Sequence, residues 1–80
     1  MRNDKLLAFG LRVRYFRKNK GFSQEEMAAL AGIDRSYMGH IERGEKNITL
    51  TKIYQISEAL GIEVADLFPR AGGDCASSAN

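Results

Sequence analysis

The chain has 80 residues, a formal net charge of +2, 44% hydrophobic residues and a single cysteine. This length supports one domain with one modest core, and a single cysteine excludes an internal disulfide and a cysteine-rich zinc site. No apolar run is long enough to span a membrane or to serve as a signal peptide, so we expect a soluble cytoplasmic protein with no membrane partner.

Positive charge is concentrated in the first quarter of the chain. Seven basic residues lie between positions 2 and 20, against one acidic residue, Asp4. Residues 45–74 carry more acidic than basic side chains. This asymmetry is typical of a protein with one phosphate-facing side, although a solvated basic helix face would have the same composition.

The apolar spacing predicts two helices in the first 32 residues. The first covers residues 4–20, and its apolar face consists of Leu6, Phe9, Val13 and Phe16. The second starts at Ser23, because Ser23 and Glu26 have the spacing of a capping box. Its apolar stripe consists of Met27, Ala28, Leu30 and Ala31. Gly32 can take the left-handed conformation that ends a helix.

Three more helices are predicted after Gly32. Asp34 is a good N-cap for the third helix, and Thr49 is a good N-cap for a fourth that runs to about Leu60. A short fifth helix is predicted around residues 63–68. No strand pattern extends beyond a few residues, so we expect an all-α domain of five helices over residues 1–68. The small, polar residues 69–80 are expected to form a disordered tail.

The second and third predicted helices are joined by a short turn that contains a glycine. A helix, a short turn and a second helix is the arrangement that presents one helix to the major groove of DNA. Residues 23–43 therefore indicate a DNA-binding protein and are the most informative part of the sequence.

The same region resembles a known family. The resemblance rests on the string G-F-S-Q-E-E-M-A-A-L-A-G-I-D-R-S-Y-M-G-H-I-E-R-G-E-K-N followed by L-T-K-I-Y-Q-I-S-E-A-L-G-I. Both stretches resemble the Cro/C1-type (XRE) helix-turn-helix regulators, which include phage repressors and restriction–modification controller proteins. The resemblance covers about residues 6–68 and implies a compact, five-helix, lambda-repressor-like fold that binds double-stranded DNA.

The resemblance also implies roles for individual residues on and around the third helix. The expected base-reading residues are Arg35, Ser36 and His40. The expected contacts to the DNA backbone are Gln24, Tyr37, Arg43, Lys46 and Asn47. Arginine can donate two hydrogen bonds to guanine O6 and N7, so Arg35 is the expected main reader. Contact of Arg35 with phosphate alone, and a solvated His40 without a DNA contact, are the alternatives.

Two further positions in this region concern the placement of the third helix. The resemblance implies an ion pair between Arg17 and Glu42 that joins the first helix to the third, so that Glu42 positions the reading helix without touching DNA. Gly39 lies in the middle of the third helix, where glycine costs about 1 kcal/mol relative to alanine. This glycine either permits a close approach to DNA or is tolerated without a specific role, and the sequence leaves both interpretations open.

One reading helix covers only a few base pairs, so we expect a homodimer on a near-palindromic operator with two half-sites about one helical turn apart. The expected dimer surface is the fifth-helix region, which has more apolar residues than so short a segment can bury alone. These residues are Ile62, Val64, Leu67 and Phe68. The alternative is that they close the core of the single protomer.

Two other classes of function are alternatives to the regulator. An antitoxin or other protein-binding module can use the same fold, but residues 69–80 lack the apolar anchors that such partner-binding tails need. An enzyme is not expected, because the chain has one histidine, no metal-ligand spacing and no glycine-rich phosphate loop. We therefore expect no catalytic residue, no metal, no cofactor and no small-molecule ligand.

Overall fold

The computed structural model describes residues 4–68 of the chain. It contains four α-helices, α1 (Asp4–Asn19), α2 (Gln24–Ala31), α3 (Arg35–Glu42) and α4 (Leu50–Leu60), and a 3-10 helix, Val64–Leu67. The predicted all-α architecture is confirmed for residues 4–68, which contain no β-strand. None of these helices is long and apolar enough to cross a membrane. The predicted disordered tail, residues 69–80, lies outside the described residues.

The prediction of a fifth α-helix is wrong, because residues 64–67 form a single 3-10 turn. Its start is closed by Asp66 Oδ2, which accepts a hydrogen bond from the Glu63 backbone N–H at 3.2 Å. Its far end is fixed by Arg12, whose Nε and Nη2 donate to the Asp66 carbonyl at 3.1 and 2.8 Å. Phe68 then adopts an extended backbone. A segment tied down at both ends within four residues favours the tighter 3-10 form.

The ends of the longer helices follow the predicted side-chain caps. Ser23 Oγ accepts from the Glu26 N–H at 3.0 Å, and Glu26 Oε1 accepts from the Ser23 N–H at 2.8 Å, which completes the capping box at the start of α2. Thr49 Oγ1 accepts from the Lys52 N–H at the start of α4. Gly32 ends α2 with φ +70°, a left-handed conformation that other residues rarely adopt.

The helices enclose one core. Helix α1 packs on α3, α2 packs on α3 and α4, and the 3-10 helix packs on α1 and α4. The largest fully buried side chains are those of Val13, Met27, Met38, Ile41, Ile56, Leu60 and Leu67. The prediction that Leu30 belongs to the buried face of α2 is wrong, since its side chain is 57% exposed. On a helix, Met27 and Ala31 share one face, and Leu30 is rotated about 100° away from Ala31.

Gly10 marks the place where α1 and α3 approach each other most closely. A Cβ at this position would lie against the backbone carbonyl oxygens of Ile41 and Glu42 at the end of α3. The sequence prediction attached no role to this glycine. Because Gly10 has no side chain, the end of α3 packs directly on α1. This contact fixes the orientation of α3 relative to α1.

Candidate nucleic-acid interface

Helix α3 has one buried and one open face. Met38 and Ile41 are buried in the core, whereas Arg35 and Ser36 are exposed at the beginning of the helix. Asp34 caps this helix, because its Oδ2 accepts from the Ser36 and Tyr37 backbone N–H groups at 3.0 and 3.3 Å. The first turn of α3 is therefore fixed, and its polar side chains point away from the core.

The open face of α3 borders a depression of about 250 Å³ between α2 and α3. It is lined by Gln24, Arg35, Ser36, Gly39, His40 and Arg43. Five of the eight residues predicted to contact DNA lie around this depression, including the three predicted base readers. Their side chains are mainly hydrogen-bond donors, so the surface suits a ligand rich in acceptors such as the edge or backbone of a nucleic acid.

The other three predicted backbone contacts lie outside this depression. Tyr37 Oη donates to the Asn47 carbonyl at 2.8 Å, so this pair joins α3 to the loop of residues 43–49. Lys52 Nζ lies 5.4 Å from the centre of the Tyr37 ring. Lys46 and Asn47 are exposed in the same loop. This second group therefore forms a separate polar surface where Tyr37 of α3 meets the loop of residues 43–49.

Beneath the depression, a buried ion pair joins α1 to α3. Arg17 Nε lies 2.7 Å from Glu42 Oε2, and Arg17 Nη2 lies 3.1 Å from Glu42 Oε1, so the two groups meet side by side. Arg17 Nη1 also donates to the Phe22 carbonyl at 2.8 Å. Arg17 is 8% exposed and Glu42 is 5% exposed. The paired charges thus hold α1, the start of α2 and the end of α3 together.

Gln24 is part of the same network, a contact that the sequence prediction did not include. Its Nε2 donates to Glu42 Oε1 at 3.0 Å. Because a carboxylate only accepts hydrogen bonds, this contact fixes which end of the amide faces Glu42. The Gln24 Oε1 atom consequently faces the depression, near Gly39.

A second charged cluster lies at the other edge of the depression and contains Glu45. The sequence analysis assigned no role to this residue. Glu45 Oε1 lies 2.7 Å from His40 Nδ1 and 3.1 Å from Arg43 Nε. These contacts, first the hydrogen bond with His40 and then that with Arg43, lower the pKa of Glu45. A lone acidic residue within the basic stretch 43–46 was the available sequence signal.

The residues predicted to form a dimer surface divide into two groups. Leu67 is fully buried in the protomer core, so the prediction that it contributes to a dimer surface is wrong. Ile62 and Val64 are half-buried against the core. Phe68 is 46% exposed, with its ring 5.3 Å from that of Phe9. Only the last three residues leave apolar surface open to a partner.

Comparison with protein families gives one match over most of the described chain. A family described as helix-turn-helix, HTH_3, matches residues 13–67. A similar protein is a hypothetical transcription factor of Neisseria meningitidis, 44% identical over 62 residues that cover 78% of this chain and 57% of that protein. This chain therefore spans little more than half of the Neisseria protein. Control protein C.BamHI of Bacillus amyloliquefaciens is 43% identical over 68 residues, 84% of each chain.

Solved structures of similar proteins agree with this match. The restriction-modification controller protein C.AhdI from Aeromonas hydrophila has a TM-score of 0.81 and 47% identity, over 82% of this chain and 100% of that one. The biofilm regulator SinR, solved in complex with DNA, has a TM-score of 0.71 and 35% identity, over 74% of this chain and 95% of that one.

Proposed function

Since the chain belongs to the HTH_3 helix-turn-helix family of DNA-binding transcription regulators, we propose that it regulates transcription by binding specific double-stranded DNA sequences with α3 in the major groove. The carrying observation is the depression on the open face of α3, where Arg35, Ser36 and His40 lie together with Gln24. A sequence-reading helix needs such a set of polar side chains within reach of base edges.

Arg35 is the proposed main reader of a base. It is exposed in the first turn of α3, and no salt bridge among residues 4–68 involves it. An arginine in this state can direct both terminal nitrogens to O6 and N7 of one guanine. Ser36 and His40 lie beside it on the same face and would read or exclude neighbouring bases.

The regulator is proposed to act as a homodimer on a near-palindromic operator. A single helix of eight residues reads only a few base pairs, and two copies related by a two-fold axis would place two such helices one turn of DNA apart. The apolar surface formed by Ile62, Val64 and Phe68 is the proposed contact between the copies.

Within this class, we propose a controller of a restriction–modification system. C.AhdI carries that description and C.BamHI is described as a control protein. The matches cover 100% of C.AhdI and 84% of C.BamHI. A phage-type repressor is the alternative that sequence reasoning left open. The position of the selected operator relative to neighbouring genes distinguishes the two, because a controller's operator should lie upstream of a nuclease or methyltransferase gene.

Selection of bound duplexes from a random pool tests the DNA-binding proposal. We expect a near-palindromic consensus, and binding to it at least about 1000-fold tighter than to random duplex at moderate salt. Arg35→Ala should retain the fold and lose most of this preference, whereas Glu58→Ala, an exposed change on α4, should retain it. If random and selected duplexes bind the wild-type protein equally well at every salt concentration, the proposal fails.

A further inference from the structure

Gly39 lies in the middle of α3 and is buried, although it has no side chain to pack. A Cβ built on it would lie 3.2 Å from Arg43 Nη1 and 3.6 Å from Gln24 Oε1. A Cβ at this position would therefore require the guanidinium of Arg43 to move by a few tenths of an ångström. We call this position of the guanidinium against Gly39 its seat. It places the arginine side chain over the open face of α3.

Glu45 holds Arg43 in this seat. Its Oε1 contacts Arg43 Nε at 3.1 Å and His40 Nδ1 at 2.7 Å. The carboxylate can only accept, so the His40 hydrogen must be on Nδ1, and the 3.3 Å approach of Arg43 Nη2 to the same nitrogen is a contact between two donors. With Nε committed to Glu45, the remaining nitrogens of Arg43 are available to a ligand.

The pair formed by Arg43 and Glu45 is open to solvent, with side chains 56% and 44% exposed. Exposed pairs of this kind add little to stability. The contact between Glu45 and Arg43 instead orients the guanidinium, which lines the depression.

A second polar group, the side-chain amide of Gln24, lies close to the same Cβ position at Gly39. Because Gln24 Nε2 is committed to Glu42, its Oε1 presents an acceptor beside the donors of Arg43. Phosphate oxygens are acceptors only, whereas base edges in the major groove offer donors and acceptors side by side. Adenine has N7 and the N6 amino group, and a guanine–cytosine pair has O6 and the cytosine amino group. The mixed pair of groups matches a base edge better than it matches the backbone.

We infer that Arg43 is a sequence-reading residue, seated on Gly39 and positioned by Glu45, and that with Gln24 it recognises a base edge carrying an acceptor next to a donor. This inference rests on the proposed DNA-binding function and deepens it. It replaces the expectation that Arg43 and Gln24 contact only the DNA backbone, and it gives Gly39 a role that the sequence left open.

The test compares binding of wild-type and variant proteins to a library with single base-pair changes in the selected operator. Arg43→Lys keeps the charge but removes the planar fork. At one base-pair position in each half-site, we expect the ratio between the affinities for the preferred and the other base pairs to fall about tenfold. Binding to random duplex should be nearly unchanged. The base pair preferred at that position, and the strand that carries its purine, identify which base edge is read.

Two positioning variants extend the test. We expect a weaker base-pair preference in Gly39→Ala and in Glu45→Gln, at the same position as in Arg43→Lys. Combining either change with Arg43→Lys should weaken the preference no further than Arg43→Lys alone. Glu58→Gln removes the same charge from an exposed position on α4 and should leave the preference intact. Urea denaturation confirms that each variant is folded, and Gly39→Ala should be at least as stable as the wild type.

The inference is overturned if Arg43→Lys and Arg43→Ala weaken all sequences by one common factor, with a smaller salt slope for Arg43→Ala, since that is the behaviour of a phosphate contact. It is also overturned if Gly39→Ala changes the base-pair preference by the same factor in the wild-type protein and in the Arg43→Ala variant. A wild-type protein that prefers no sequence contradicts the proposed function itself, and the two failures are thus distinguishable.

Discussion

At the scale of single residues, two glycines in helix interiors have opposite surroundings. A Cβ at Gly10 would meet backbone carbonyls of α3, which cannot move without shifting the helix. A Cβ at Gly39 would meet the end of a flexible arginine side chain. Both positions look alike in the sequence, as single glycines within a helical pattern. Only the packing distinguishes a glycine required by the fold from one that leaves room for another side chain.

The first prediction concerns this difference. Gly10→Ala should lower the free energy of unfolding by about 2 kcal/mol or more, because the added carbon forces α1 and α3 apart. Gly39→Ala is the matched control, and it should raise the free energy of unfolding by up to about 1 kcal/mol through its better helix propensity. Urea denaturation of both variants measures the effect. Equal changes in the two variants would contradict the assigned packing.

The second prediction concerns the buried pair of Arg17 and Glu42. Glu42→Ala should destabilise the protein by about 3–5 kcal/mol, because it leaves the Arg17 charge buried without its partner. The double variant Arg17→Met, Glu42→Leu should be less destabilised than Glu42→Ala, because no buried charge then remains. Chemical denaturation of the singles and the double provides the comparison. A double variant less stable than Glu42→Ala would show that the pair contributes mainly favourable attraction.

The third prediction concerns pH. The pKa of Glu45 is lowered in the folded protein from its ordinary 4.5, so the ionised form stabilises the fold. This contribution is fully present above the ordinary pKa and is lost as the pH falls through the lowered one. The stability difference between the wild type and Glu45→Gln should therefore shrink on acidification from about pH 6 to about pH 3. His40→Ala removes the largest cause of the shift and should reduce this dependence. A difference that is constant with pH would contradict the assigned contacts.

At the scale of elements, the sequence predicted the parts whose signals are local. Side-chain caps at Ser23, Asp34 and Thr49 and the left-handed Gly32 act within four residues of the chain, so they determine helix ends without knowledge of the fold. The apolar pattern near residue 64 predicts an α-helix, because such a local pattern contains no information on the hydrogen bond from Arg12. Arg12 lies 54 residues before Asp66 in the chain. The exposed position of Leu30 likewise depends on how α2 is rotated against its neighbours.

The same distinction applies to the candidate site. Arg35, Ser36 and His40 follow from the helical period and the family pattern, and they line one depression. The contacts of Glu45 with His40 and Arg43 depend on how the loop after α3 folds back, which no periodicity describes. The commitment of Gln24 to Glu42 likewise joins residues 18 positions apart.

The fourth prediction concerns the start of α3. Asp34→Ala removes the acceptor for two backbone N–H groups and should destabilise the protein by about 1 kcal/mol. DNA affinity should fall by more than the smaller fraction of folded protein explains, because the same turn presents Arg35 and Ser36. Asp34→Asn preserves the cap and should recover most of both losses. Thermal denaturation and titration with selected duplex measure the two effects, and equal behaviour of the alanine and asparagine variants would contradict this role for the cap.

At the scale of the whole molecule, exposed apolar side chains limit where a second copy can bind. Two of the regions that contain such side chains differ in character. Phe68 extends the apolar surface of Ile62 and Val64 behind the 3-10 helix, and its ring rests on buried Phe9. Leu50, by contrast, is 66% exposed at the start of α4. The region of Ile62, Val64 and Phe68 packs on the core, so it offers a rigid surface that loses little conformational entropy on association.

The fifth prediction follows from this difference. Phe68→Ala should raise the dimer dissociation constant at least about tenfold, because the ring is the largest exposed apolar group of that region. Leu50→Ala removes a similarly exposed apolar side chain and should leave dimerisation unchanged. Sedimentation equilibrium measures both, and circular dichroism confirms that the variants fold. Loss of dimer only in Leu50→Ala would place the contact at the start of α4. A wild-type monomer at all concentrations would remove the basis for a two-fold operator, because each protomer would then read its half-site alone.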